Sequence, residues 1–184
     1  MDYNAFSHGQ LQSKIWLCDS LEPYIPDRAI VAILGSWYNV LGFMMLTRNR
    51  NKYQSILGID IDSSAIDIAT QINAGWMIGD RPKMNNIVAD ACSYNYQGFT
   101  TVINCSPEHM PNDRWFDNIN SGTLVCIQTS NIDKNDDVWK VTNPITTMEQ
   151  LVKKYPLSHY IMQDTQDITY SDWGYKRFML IGVK

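Results

Sequence analysis

Residues 29–34, "AIVAIL", form an unbroken apolar run closed by Gly35, the pattern of a strand buried on both faces. Similar runs at 53–62 ("YQSILGIDID"), 85–90 ("NNIVAD"), 100–106 ("TTVINCS") and 122–130 ("GTLVCIQTS") predict further strands. Helical spacing falls between them. Residues 10–21 set Leu11, Ile15, Trp16 and Leu21 on one side, and Pro23 and Pro26 end that segment. Residues 38–48 predict a second helix, with Gly42 as a point of close packing. In 64–74, Ile66, Ala69 and Ile72 share a face, and Ser63, Ser64 or Asp62 can cap the start. A short helix fits around 112–119 and another at 146–155. The last two strand patterns, 157–166 and 175–184, are separated by too few residues for a helix, so they pair antiparallel.

Strand–helix alternation implies βαβ units with right-handed crossovers and a mostly parallel sheet. The class is α/β, with an N-terminal helix and a C-terminal antiparallel β-hairpin turning at "SDWG", 171–174. A chain of 184 residues fits a single domain. The stretch 7–14, "SHGQLQSK", reads either as a helix start capped by Ser7 or, with the rest of 1–28, as a lid bringing His8 or Gln12 to a substrate. "DKNDDVWK" at 133–140 reads as a solvated loop, and His159 as a strand residue with a structural role. Trp173 can rim a pocket from the hairpin turn.

In open sheets of this kind, ligands lie beyond the carboxyl ends of the strands. That directs attention to the loops at 35–39, 60–62, 90–92 and 104–110. Gly35 permits close approach of a ligand to bare backbone. Asp60 can accept both hydroxyl protons of a ribose, and Ile61 offers a base an apolar face. Asp90 can accept from the exocyclic amine of adenine, and Ala91 is small enough to admit a base edge.

The succession "ILG", "GIDID", "VADA", "VINCS" resembles the class I S-adenosylmethionine (SAM)-dependent methyltransferases over residues 29–184. The resemblance implies a Rossmann-like sheet and SAM as cofactor. It implies that Gly35 and its loop hold the methionine part, Asp60 the ribose and Asp90 the adenine. The first loop departs from the family pattern E/D-x-G-x-G-x-G. Ile33 stands at the acidic position, and Trp37 and Asn39 stand at the second and third glycines. Ser36, Trp37 and Tyr38 therefore become candidate cofactor contacts, with the aromatics walling the cationic sulfur. The alternative is that both rings turn inward under the N-terminal helix. After the fourth strand, Asn104, Ser106, Glu108 and His109 are expected to face the acceptor, Glu108 or His109 taking its proton. A plain surface turn is the competing reading there. The fourth strand lacks N/D-P-P-Y, so methylation of a base amino nitrogen is not indicated.

Composition narrows the partners. Net charge is −4 and the pI is near 5.2, which argues against a duplex nucleic-acid partner. The basic cluster Arg48, Arg50 and Lys52 reads as a solvated helix end. Four cysteines, with no C-x-x-C pair, read as free thiols and not as a zinc site. No secretory signal or membrane-length apolar run is visible, so a cytoplasmic protein with no membrane association is expected. The acceptor is unidentified, a small molecule being favoured over a macromolecule. Other SAM-consuming chemistry and a non-catalytic binding role are the alternatives. A dinucleotide dehydrogenase fits poorly, because G-x-G-x-x-G is absent.

Overall fold

The alternating patterns assemble into one seven-stranded sheet with strand order β3-β2-β1-β4-β5-β7-β6. The computed structural model describes residues 1–79, 82–132 and 141–184, so the expected loop at 133–140 lies outside the described residues. The strands are β1 (Ala29–Leu34), β2 (Tyr53–Asp60), β3 (Met84–Val88), β4 (Thr101–Asn104), β5 (Leu124–Ser130), β6 (His159–Thr169) and β7 (Gly174–Val183). The helices are α1 (His8–Leu21), α2 (Val40–Asn49), α3 (Ser63–Ile72), α4 (Ala74–Met77), α5 (Arg114–Asp117) and α6 (Met148–Lys154). Strands β1 to β5 run parallel, while β7 inserts antiparallel between β5 and β6. Among the described residues no helix is long and apolar enough to cross a membrane.

Alternate residues of each strand feed opposite cores. Val31, Ile33, Ile56, Ile103, Cys126, Met179 and Ile181 pack against Leu17 and Leu21 of α1 and Leu41 and Met45 of α2. Leu34, Ile59, Val102, Val125, Phe178 and Leu180 pack against Trp115, Phe116, Leu151 and Tyr155 on the other face.

Several element ends differ from the expectation, each for a local reason. β3 and β4 stop at Val88 and Asn104 because Asp90 Oδ1 accepts from the Cys92 amide (2.8 Å) and Asn104 Oδ1 from the Ser106 amide (2.9 Å). Such Asx turns draw the chain out of the ladder. α2 starts at Val40 and not at 38, because Asn39 adopts φ 49° and its side chain caps the Gly42 amide. α3 is capped by Asp62, whose Oδ1 accepts from Ser64 and Ala65, and not by Ser63 or Ser64. Ser7 occupies the N-cap of α1 but makes no side-chain cap bond. α4 was not foreshadowed by any periodicity, being a single turn after Asn73.

A buried amide pair joins the first loop to the sheet. Asn39 Nδ2 donates to Asn86 Oδ1 at 2.8 Å, and both side chains lie over Gly58. A Cβ at Gly58 would sit 2.5 Å from Asn39 Nδ2 and 2.5 Å from Asn86 Oδ1, so only glycine admits the pair. Asn39→Ala removes the cap of α2 and strands the Asn86 acceptor. The expected loss is about 3 kcal/mol of stability, read from the urea midpoint. A loss under about 0.5 kcal/mol would show that the pair is not a significant restraint.

Candidate functional site

Strand order reverses between β1 and β4, so the loops leaving these two strands diverge and open a crevice at their carboxyl ends. A cavity of about 690 Å³ occupies it. Gly35, Ser36, Trp37, Tyr38, Asp60, Ile61, Asp90, Ala91, Ser106, Glu108 and His109 all line this cavity. Asn104 does not. It is fully buried, its Oδ1 holding the Ser106 amide and its Nδ2 directed to Met110 Sδ at 3.3 Å. It shapes the turn from beneath, so an acceptor cannot reach it.

The first loop has lost two glycines but kept the backbone that glycine adopts. Gly35 (φ 56°), Trp37 (φ 50°) and Asn39 (φ 49°) are left-handed, and these are the three glycine positions of E/D-x-G-x-G-x-G. Asn tolerates this region, whereas Trp costs roughly 1–2 kcal/mol there. Neighbouring groups hold it. Trp37 N donates to Asp60 Oδ2 at 2.7 Å, Ser36 N to Ile59 O at 3.0 Å, and Asn73 Nδ2 to Tyr38 O at 3.1 Å. At Gly35 a Cβ would stand 2.9 Å from Ser106 Cβ, so glycine lets the loops after β1 and β4 close on one another. The two aromatic rings are placed differently. Tyr38 is buried with Ala5, Val40 and Ala65, its hydroxyl accepting from the Asp2 amide at 2.6 Å. Trp37 lies beside it, the two rings tilted by 37° with centroids 5.1 Å apart, and stays partly exposed.

The acids at the tips of β2 and β3 share the cavity. Asp60 uses one lone pair on each oxygen for the Trp37 and Asp62 amides, leaving one on each. Asp90 uses Oδ1 for the Cys92 amide and is exposed. Ile61, which follows Asp60, is 74% exposed and lines the same cavity.

The β4 loop is not a surface turn. Glu108 is 2% exposed, its Oε1 lying 3.5 Å from Arg177 Nη1 and accepting from Ser130 Oγ at 3.3 Å. Thr142 and Asn143 amides both donate to Glu108 O and pin the turn. His109 is exposed at the rim. Arg177 lies on the same face of β7 as buried Met179 and Ile181. Strand parity could have placed it inward from the sequence.

No family model matches the sequence, and no curated protein matches it. Solved structures do. The MccD protein superposes with a TM-score of 0.71 at 13% identity, over 96% of this chain and 98% of that one. Magnesium protoporphyrin IX methyltransferase (ChlM) from Synechocystis PCC 6803, with bound SAM, gives 0.68 at 10% identity, over 95% and 80%. TrmK of M. capricolum, in complex with S-adenosylhomocysteine (SAH), gives 0.57 at 15% identity, over 90% and 67%. This is the class I methyltransferase fold. At such identities the likeness is one of architecture, and it includes the antiparallel β7 between β5 and β6.

On this methyltransferase fold the N-terminal segment walls the cavity, but not through the residues expected. Asp2, Asn4, Ala5, Gln10 and Lys14 line it. Neither His8 nor Gln12 does; the His8 ring meets Tyr170 edge-on at 6.1 Å. Trp173 is likewise outside, stacked between Tyr170 and Tyr175 at 4.6 and 5.6 Å. Gly9 lets α1 press onto this stack, its amide donating to the Tyr170 hydroxyl at 3.1 Å. Lys14 carried a signal in its spacing, since it shares a helix face with Cys18 and Leu21, both buried.

If Asp60 is the anchor of the strained loop, Asp60→Ala should speed hydrogen exchange at the Trp37 amide by roughly tenfold or more. Amide exchange followed by NMR reads this directly, and unchanged protection at Trp37 would show that other contacts suffice.

Proposed function

We propose that this chain is a SAM-dependent methyltransferase acting on a small-molecule acceptor. The observation that carries the proposal is that Asp60 and Asp90, from the tips of adjacent strands, line one cavity together with the exposed Ile61. An adenosine fits that arrangement. The free lone pairs of Asp60 accept the ribose hydroxyls, Asp90 accepts the adenine amine, Ile61 covers the base and Ala91 leaves room for its edge. The first loop fits the methionine part as well. Ser36 Oγ is buried in the cavity wall with no hydrogen-bond partner among the described residues, so it has both a donor and an acceptor to offer. Trp37 lines the same space.

When bound, SAM supplies an electrophilic methyl group. The rest of the work belongs to the chain. Walls contributed by Ser106, His109 and the N-terminal segment align an acceptor and exclude water, and alignment alone can supply a large part of such a barrier, about 7–11 kcal/mol in favourable cases. His109, open to solvent at the rim, takes the proton that a nucleophile releases. Glu108, buried against Arg177, is a positioning residue. A cavity of this size, walled by the chain's own first helix, supports a small acceptor over a polymer.

Calorimetric titration tests the proposal. SAM and SAH should both bind, and ligand at a hundred times its dissociation constant should add about 2.7 kcal/mol to stability. Asp60→Ala should weaken binding by about tenfold or more through lost charged hydrogen bonds, and Asp90→Ala by a smaller factor. Trp37→Ala should also weaken it if the ring walls the ligand. Absence of binding by either ligand would overturn the enzyme reading and leave a non-catalytic protein on the same scaffold.

A further inference from the structure

The end of the cavity formed by α1, the β4 loop and β7 holds more positive than negative charge. Lys14 and Arg177 both line it, and Glu108 is the carboxylate beside them. Among the described residues Arg177 has no other carboxylate within salt-bridge distance and Lys14 has none. Arg177 is only 6% exposed, yet its contacts are long: 3.5 Å from Nη1 to Glu108 Oε1 and 3.4 Å from Nη2 to Gln128 Oε1. Charge-assisted bonds of this type normally close to about 2.7–2.9 Å. The Arg177 Nε donor and the Glu108 Oε2 acceptor have no partner at all among the described residues. A buried guanidinium has five N–H donors, and leaving them idle is costly. Lys14 is half-buried beside it in the cavity wall. Among the described residues its ammonium reaches only Gln10, through Oε1 at 2.6 Å and the backbone O at 3.4 Å. Burial first, and the Arg177 charge among lesser causes, lower its pKa to about 8.

We propose that this end of the cavity receives a carboxylate carried by the methyl acceptor, held by the Arg177 guanidinium and the Lys14 ammonium. The proposal rests on the methyltransferase reading and names the substrate class for it. Two cations against one buried carboxylate leave an excess of one charge, which a carboxylate neutralises. A phosphate monoester, at about −1.5 to −2, overshoots it. The planar fork of arginine suits a planar two-oxygen ligand, and its donors suffice to bridge Glu108 on one side and the ligand on the other. A neutral amide or ester analogue would leave the excess positive charge uncompensated, so discrimination against it is built in.

Calorimetry on the full chain saturated with SAH, using benzoate and its neutral isostere benzamide as probes, tests this. Benzoate should bind at least about tenfold more tightly than benzamide, and Lys14→Met should remove most of that preference while leaving SAH affinity within about twofold. Arg177→Lys, which retains the charge that balances Glu108, should fold normally and lose part of the preference with the fork. Equal affinity for the two probes in wild type would overturn the proposal. So would a tenfold loss of SAH affinity in Lys14→Met, which would identify the cofactor's own carboxylate as the anion held here. If wild type fails to bind SAH, the methyltransferase reading falls separately, and the same benzoate–benzamide comparison on the ligand-free chain still decides whether the anion site exists.

Discussion

The architecture of the cleft depends on a five-residue backbone held in alternating left-handed turns without the glycines that make such turns easy. Trp37 at φ 50° and Asn39 at φ 49° are tolerated because groups distant in sequence bind the loop from three sides. Asp60 takes the Trp37 amide, Asn73 takes the Tyr38 carbonyl, and Asn86 takes the Asn39 amide. Each restraint comes from a different element, so the loop's shape is a property of the assembled β2–α3–β3 layer. The same loop caps α2, seats the N-terminal segment through Tyr38 and Asp2, and closes against Ser106 through Gly35. Strain of this kind persists only where the surroundings over-determine it, and it gathers at functional sites.

Replacing glycine with Trp and Asn alters what the loop can do. A glycine loop offers bare backbone, and this one offers backbone amides together with an aromatic wall and a buried polar pair. Asp60 thus has two demands on it, one from the loop and one from any ligand. Its carboxylate has enough lone pairs for both. The cavity is also electrostatically divided. Acidic residues stand at the tips of β2 and β3, and the cations Lys14 and Arg177 stand toward α1 and β7. With walls of low dielectric, such separation orients a ligand that carries unlike groups at its two ends.

Much of this was legible from the chain alone, and for stated reasons. Strands such as 29–34 are short, apolar and bounded by turn residues, so their identity is local information. Asp60 and Asp90 were found because strand termini in an open parallel sheet point at its ligand crevice, a rule that needs only the order of elements. The inward direction of Glu108 was less accessible, since it depends on Arg177 and Ser130, 69 and 22 residues away in sequence. Asn104 shows the converse. Its position at a strand end is as favourable as that of Asp60, yet the Asx turn it forms rotates it beneath the loop, away from the cavity.

The amino-acid sequence by itself determined the α/β class, the order of strands and helices, and the acids at the strand tips, because periodicity and turn chemistry act over a few residues. Tertiary structure alone decided that β7 lies between β5 and β6, that a glycine-poor loop keeps a glycine-like backbone, and that Lys14 and Arg177 meet in one cavity. Those outcomes depend on side chains far apart in the chain competing for the same buried space and the same hydrogen bonds. No local pattern records that competition.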